Sequence, residues 1–431
     1  MTEFTVEYFK EKGIDYIQYQ FTTLMGDLKE VEFPAQNWES MKEGTGVDGS
    51  SLGFLSTEQS DMRAIPDLET FAILPWSPRV GRFICNMVGN DGLPYPTCPR
   101  GILIKVLAEA DSMGYVFKTR PELEWYFLDD DLDPADEGDY MCTVPKDHLH
   151  EVRRQITDDM LSMFSKGSPH TVHHEVGPAQ HEIELSKLDG LAQADNVQTG
   201  KLIVKSEALF NGLVSTFMPK PFAGKAGSGL HIHEYLEDKE GNNIFATEGG
   251  ISDELKYFIG GTIKHADAIS ALLNPSTNSY KRLVPNHEAP VHKAWGIGNR
   301  TALMRVPGYE SKAHMEFRAG DGTMNIYLGC AALLAAGLDG IRNKIQPNIP
   351  TRKNIDHLTD EERASLGISQ LPSSLKDSLD AFEESEFITK VFGQQFKDIY
   401  LEKKRAELIE HLVAVNNHYE QEWEIDRYLH C

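Results

Sequence analysis

Cysteine is scarce and unpatterned. The 431 residues hold five, Cys85, Cys98, Cys142, Cys330 and Cys431, and none forms a C-x-x-C pair. An odd, scattered set excludes a disulfide framework and a Cys-type zinc site, and reads as reduced thiols. Positive charge is also in short supply. Lys and Arg number 42 against 66 Asp and Glu, a formal net charge of −24. Binding a nucleic-acid backbone needs clustered bases, so that partner class is excluded, whereas a small basic pocket for one phosphorylated ligand is not. Long apolar runs are missing. The longest lies near Cys330 to Leu338 and is too short to cross a bilayer, so no membrane partner is expected. The opening Met1-Thr-Glu-Phe-Thr-Val-Glu carries acids where a signal peptide needs bases, and the expected location is cytoplasmic. Neither a repeat of solenoid period nor a low-complexity tract is present.

Core-forming residues are plentiful. An apolar fraction of 40%, with 20 Phe, 15 Tyr and 5 Trp, fills a sizeable interior and excludes global disorder. The length fits roughly two or three domains, or a large one with an appendage. Strand patterns dominate the first part. Tyr16 to Thr22 alternates as a half-buried strand, M-G-D turns, and Leu28 to Phe33 returns as the second arm of a hairpin. Phe71 to Pro75 and Arg82 to Val88 read as further strands, and the turn-rich Gly89-Asn-Asp-Gly-Leu-Pro-Tyr-Pro marks a boundary before Cys98. The division is placed at residues 1–96 and 97–431. Beyond it, Gly101 to Met113, Lys201 to Phe217 and Leu328 to Ile345 read as helices. Glu386 to Leu429 is helix-dominated, with turns near Gly393 and Asn416, and Ser373-Ser374 caps a helix that begins after Pro372.

Four strand-like segments carry functional side chains two residues apart, which places each pair on one face. They are Glu122 and Glu124 in P-E-L-E-W-Y-F, Glu182 and Glu184 in Q-H-E-I-E-L, His231 and His233 in G-S-G-L-H-I-H, and Glu316 and Arg318 in H-M-E-F-R; Glu175 lies just upstream of the second. Any one segment alone reads as a strand with a solvated polar face. Together, five or more acids on one concave face repel one another unless cations are bound. Oxygen-rich ligation with one or two imidazoles suits Mg²⁺ or Mn²⁺ better than zinc. Two such ions match a site that transfers a phosphoryl group. Arg282, Arg300, Arg305 and Arg318 lie close to this acidic region in sequence and fit a clamp for phosphate and carboxylate oxygens.

These residues sit in motifs that closely resemble glutamine synthetase of the bacterial and archaeal class I type. The landmarks are V-D-G-S-S-L-G-F at Val47, P-E-L-E at Pro121, H-H-E-V-G-P-A-Q-H-E-I at His173 and K-P-F-A-G-K-A-G-S-G-L-H-I-H at Lys220. N-P-S-T-N-S-Y-K-R-L-V-P-N-H-E-A-P at Asn274, N-R-T-A-L-M-R-V-P at Asn299 and M-E-F-R at Met315 follow in the family's order. The resemblance implies an α+β fold: a small β-grasp-like N-terminal domain, and a large catalytic domain whose curved antiparallel sheet forms a half-barrel flanked by helices. It implies one metal on Glu124, Glu175 and Glu182, and a second on Glu122, His231 and Glu316. His233 matches a contact to the nucleotide phosphates. Arg300 and Arg305 match the arginines on the moving phosphoryl group, and Arg305 also faces the nucleotide. Arg282, Arg318 and Gly227 match the glutamate contacts. Glu288 matches the acid of a closing flap. Asp48, with Ser51 beside it, matches a loop that reaches a neighbouring subunit's site, and Tyr140 the aromatic residue by the ammonium pocket. The implied activity is ATP-dependent ligation of glutamate and ammonium through γ-glutamyl phosphate, with two or more Mg²⁺ or Mn²⁺ per site. The implied assembly is a dodecamer of two hexameric rings with shared active sites; no regulatory protein is identified.

Several positions depart from the family pattern. Ala226 stands where Asn is usual, Tyr235 where Ser is usual, and Pro178-Ala179-Gln180 for P-G-Q. Asn286-His287 precede Glu288 in place of G-Y, His314-Met315-Glu316 replace R-I-E, and Asn325-Ile326-Tyr327-Leu328 replace N-P-Y-L. No metal ligand is lost. Two alternatives therefore stand beside ammonia: a relative that joins glutamate to an organic amine such as a polyamine or methylamine, and a catalytically silent homologue. Asp356 occupies the place of the tyrosine that adenylylated relatives modify, so that regulation is not expected here.

Overall fold

Strand Tyr16–Thr22 pairs antiparallel with Leu28–Pro34, in register from Tyr16 opposite Pro34 to Thr22 opposite Leu28. The hairpin turns at Gly26, whose φ of +100° only glycine adopts without strain. A computed structural model describes residues 2–52, 61–287, 289–307 and 312–431. In it the hairpin belongs to a five-stranded sheet ordered Leu28–Pro34, Tyr16–Thr22, Ser77–Val88, Asp61–Leu74, Thr45–Asp48. Its second and third strands run parallel. The strands expected at Phe71 to Pro75 and Arg82 to Val88 are parts of two longer ones. One face is sealed by aromatic side chains, with Trp38 stacked on Phe83 at 5.4 Å and Phe9 and Tyr19 buried beside them.

The hairpin's first strand is buried on both faces rather than half-buried. Sequence alternation is real, but the polar face is covered. Gln18 donates to both Glu30 and Glu32 at 3.1 Å, and Gln20 donates to Gln18. The sheet also packs on the larger part of the molecule, where Arg82 donates to Thr199 at 3.0 Å.

A nine-stranded sheet organises the rest of the described residues. Its main path runs Trp295–Ile297, Met304–Val306, Met315–Phe317, Leu230–Glu237, Val116–Leu128, Gln180–Leu185, Pro169–His174. All neighbours are antiparallel except the first two strands, which are parallel. Long helices back this curled sheet: Pro99–Ser112, Gly190–Phe210, Asp253–Leu273 and Ile326–Asn343. The last is apolar all round and buried from Ile326 to Leu338, as a helix segment between a sheet and other helices must be. It approaches Asp253–Leu273 closely because both carry glycine at the contact. A Cβ on Gly340 would lie 2.0 Å from the Tyr257 carbonyl oxygen.

The helix expected over Lys201 to Phe217 begins earlier and ends at Phe210. Gly212, at φ +69°, breaks it, and Val214–Thr216 joins the sheet opposite Tyr126 to Leu128. The C-terminal helices fall as expected: Glu386–Phe392, Gln394–Asn416 and Glu420–Tyr428, with Gly393 at φ +90° at the first break. Ser374 caps Leu375–Glu384 by accepting from the Asp377 N–H. No helix among the described residues is long and apolar enough to cross a membrane. All five cysteines are free.

Candidate active site

Register decides which side chains meet. Glu122 lies opposite His231 on one side and Glu184 on the other, Glu124 opposite Glu182, and Glu316 opposite both His233 and Arg305. Alternate residues Leu123, Ile183, Ile232 and Phe317 turn to the helices and are buried there. That division fixes the face of every functional group, because a one-residue slip would send the acids into the apolar layer. The polar faces line one cavity of about 1880 Å³. All six expected metal ligands, the arginines 282, 300, 305 and 318, Gly227, His233 and Tyr140 line it.

Two halves of the cavity differ electrostatically. In one, Glu122 accepts from or meets His231 Nδ1 at 2.8 Å and His233 Nε2 at 2.9 Å. Burial works to raise its carboxyl, yet the two imidazoles hold it well below the usual range. Glu316 receives Arg305 at 2.6 Å and Arg318 at close range. Burial again opposes, but His233, Arg318 and His231 bring this carboxyl down to about 2. Donor atoms of Glu122, His231 and Glu316 lie within 4.8 Å of one another.

The other half carries uncompensated acids. Burial, then the charges of Glu122, Glu124 and Glu175, push Glu182 up to about 11. Burial and the Glu175 charge lift Glu124 to about 8, although Arg282 and the Gly229 N–H, which donates to it at 2.9 Å, pull the other way. Glu175 is held below its ordinary value: burial is outweighed by His173, 3.2 Å away, and by the Val176 N–H. The donors gathered within 4.8 Å here are His173, Glu175 and Glu182, while Glu124 is turned toward Gly229 and Gln180. Carboxylates that hold protons for want of a counter-charge fit a hard divalent cation, and the oxygen-rich donor set suits Mg²⁺ or Mn²⁺.

Two expected site residues, Asp48 and Ser51, stand apart. Asp48 ends a strand of the N-terminal sheet and Ser51 lies in the turn after it, away from the cavity lining. There Ser51 and then Ser50 donate to the Asp48 carboxylate at 2.6 and 2.7 Å, which lowers it to about 2. Glu288 lies outside the described residues, although Asn286, His287 and Ala289 line the cavity.

The structure adds residues that no role had been given. Glu184 shares a face with Glu182, as its spacing indicates, and pairs with Arg120 at 2.7 Å. His233 Nδ1 meets His314 Nε2 at 2.8 Å, and His314 stacks on Tyr235 at 4.4 Å, so two of the departures from the family pattern contact each other. Asp356 accepts from the Asn286 N–H at 3.1 Å and borders the cavity. His173 did carry a spacing signal, standing two residues before Glu175 and opposite Glu182 across paired strands, whereas Asp356 carried none because a distant segment brings it to Asn286.

Comparison with known proteins agrees with this geometry. Residues 13–90 match the family described as glutamine synthetase, beta-Grasp domain, and residues 96–428 match glutamine synthetase, catalytic domain. The glutamine synthetase of Thermotoga maritima is 40% identical over 435 residues, 98% of each chain. That of Halobacterium salinarum is 39% identical, over 97% of this chain and 94% of the relative. A solved structure titled "GmaS/ADP complex-Conformation 1" superposes with a TM-score of 0.87 at 33% identity, covering 100% of both chains. Another, "Apo GmaS without ligand", gives 0.85 at 33% identity, covering 96% of this chain and 97% of that one. Fold, cavity and sequence agree, and the chain belongs to the glutamine synthetase family.

Proposed function

We propose that this protein joins ammonium to the γ-carboxylate of glutamate, driven by ATP, through γ-glutamyl phosphate. The observation that carries the reading is the juxtaposition, in one cavity, of two acid-rich donor sets and four arginines. Glu124, Glu175 and Glu182 would hold one divalent cation, and Glu122, His231 and Glu316 the other. When bound, these cations offset charge on the nucleotide phosphates and the moving phosphoryl group.

A carboxylate is a poor electrophile, so glutamate must first be activated. Arg282, Arg318 and Gly227 orient it, with its γ-carboxylate toward the nucleotide. Arg300 and Arg305 stabilise charge on the transferred group, and His233 contacts the phosphates. Ammonium is inert until it loses a proton. Asp48 of an adjoining subunit, with Ser51, and Glu288 form the cation pocket beside Tyr140 and receive that proton. Since Asp48 lies away from its own chain's cavity, the reading requires shared sites, and a dodecamer of two hexameric rings supplies them.

A second reading replaces ammonium by an organic amine. It is supported by the apolar wall near Glu175, where Met141, Val172 and Val176 are exposed, and by Ala226 in place of a polar residue. The decisive experiment measures phosphate release from ATP and Mg²⁺ with glutamate, comparing ammonium with a panel of amines. Turnover confined to a methylamine or polyamine would reject the ammonium reading. Absence of turnover with every nucleophile would make the chain a silent homologue.

A further inference from the structure

Behind the cavity wall lies a buried polar knot that the proposed chemistry does not use. Asp136 Oδ1 accepts three donors from three segments: the Gly138 N–H at 2.9 Å, the Ala179 N–H at 2.6 Å and His174 Nε2 at 3.1 Å. The other ring nitrogen of His174 lies 2.7 Å from the Glu175 carbonyl oxygen. The His174 carbonyl oxygen in turn accepts from the Met141 N–H at 2.9 Å. One carboxylate thus ties the loop that carries Tyr140 to the hairpin that carries Glu175 and Glu182.

The cluster resembles a metal site at first sight, because donor atoms of Asp136, His174 and His181 lie within 4.8 Å of one another and all three residues are buried. Its chemistry argues otherwise. Arg153, anchored by Asp147 at 2.6 Å, donates to His181 Nδ1 at 2.7 Å. An arginine can only donate, so Nδ1 is the acceptor and the neutral ring carries its proton on Nε2. Among the described residues, that Nε2 and Asp136 Oδ2 have no hydrogen-bond partner. Both partners of His174 are acceptors, so both its nitrogens donate. The knot holds protons where a cation would need lone pairs.

We infer that Asp136 and His174 are positioning residues, which set the Glu175–Glu182 pair and the Tyr140 loop as one unit. The carboxylate orders the turn at Ala179, a non-glycine residue at φ +54°, by accepting its N–H. His174 fixes the peptide of Glu175, whose side chain enters the cavity. Tyr140 rests edge-on against His173 at 5.5 Å, so the same hairpin supports the pocket's aromatic wall. Space is tight: a Cβ on Gly138 would fall 2.1 Å from His174 Nε2.

The inference rests on the proposed function and is tested apart from it. Mn²⁺ binding to the full protein is measured by calorimetry without nucleotide, alongside KM for the nucleophile. Asp136→Asn is expected to weaken Mn²⁺ binding about 10- to 100-fold, the range for losing an outer partner of a metal ligand, and to raise that KM. Asp136→Asn with His174→Gln, which removes the buried charge but keeps amide donors, should recover part of the loss. Leu338→Ala, on the helix behind the sheet, should lower stability and leave Mn²⁺ affinity unchanged. If Asp136→Asn does not fold, Gly138→Ala decides, and weaker Mn²⁺ binding is again expected. Affinity and KM within about twofold of wild type in the variant that folds would overturn the inference. Wild-type protein that binds no Mn²⁺ would instead overturn the proposed function.

Discussion

Filling the acidic cavity with metal should expel protons. Without cations, Glu182 is lifted to about 11 by burial and by Glu122, Glu124 and Glu175, and Glu124 to about 8 by burial and Glu175. At about pH 7.5 the first is then mostly protonated and the second in part, from the ordinary titration relation. A metal needs both as carboxylates, so its binding should release between about one and two protons per chain. The sign for stability follows. Both groups have folded-state values above their unfolded ones, so the metal-free fold is favoured at low pH. It loses up to about 1.4 kcal/mol per group for each pH unit above the ordinary carboxylate range. Saturating Mg²⁺ removes that loss. Titration calorimetry in Tris, HEPES and PIPES reads the proton count from the dependence of binding heat on buffer ionisation heat. Glu182→Gln should reduce the count to below one. Heats identical across the three buffers would refute the reasoning, because they would mean that the acids are already ionised in the empty cavity.

Other consequences are simpler to state. Glu234, fully buried with neither carboxyl oxygen partnered among the described residues, has its pKa raised by burial. Glu234→Met should therefore stabilise the protein, and by more at about pH 7.5 than near pH 4; denaturant midpoints at both pH values check it, and an equal gain at both would count against the cause given. Gly340→Ala forces its Cβ onto the Tyr257 carbonyl, 2.0 Å away, and should cost at least about 1–3 kcal/mol, seen as a lower midpoint with an unchanged denaturant slope. Shared sites make a mixing experiment informative. Asp48→Asn and Glu182→Gln proteins, each inactive alone, should regain part of the activity when their subunits are exchanged, and no recovery after verified exchange would argue that each chain works with its own Asp48.

Much of the site was legible because strand geometry is periodic. Spacing of two placed Glu122 with Glu124, Glu182 with Glu184, and His231 with His233 on common faces before any contact was known. The register then confirmed the faces and added what spacing cannot carry: that His231 stands opposite Glu122, and Glu182 opposite Glu124. Family motifs extended this to the arginines, whose positions lie on loops, a short strand and, for Arg282, the short helix Ser279–Arg282. Local pattern failed where tertiary cover overrode it. Tyr16–Thr22 alternates as if half-exposed, yet Gln18 and Gln20 are buried, with Gln18 donating to Glu30 and Glu32 and Gln20 to Gln18. A helix read through Phe217 stopped at Phe210, since Gly212 turns the chain and a free edge was waiting for Val214–Thr216.

By itself, then, the sequence determined the identity of the chemical groups and the side of each strand on which they stand, because both follow from residue type and a period of two. Tertiary structure alone decided which acids would crowd into one half of the cavity and hold protons, and which would be neutralised by Arg305, Arg318 and the imidazoles. It also decided that Asp136, remote from Glu175 in sequence, would anchor the hairpin that bears it. Such outcomes depend on distances between segments far apart along the chain, and on the burial that sets the strength of charge at those distances. No local pattern encodes either.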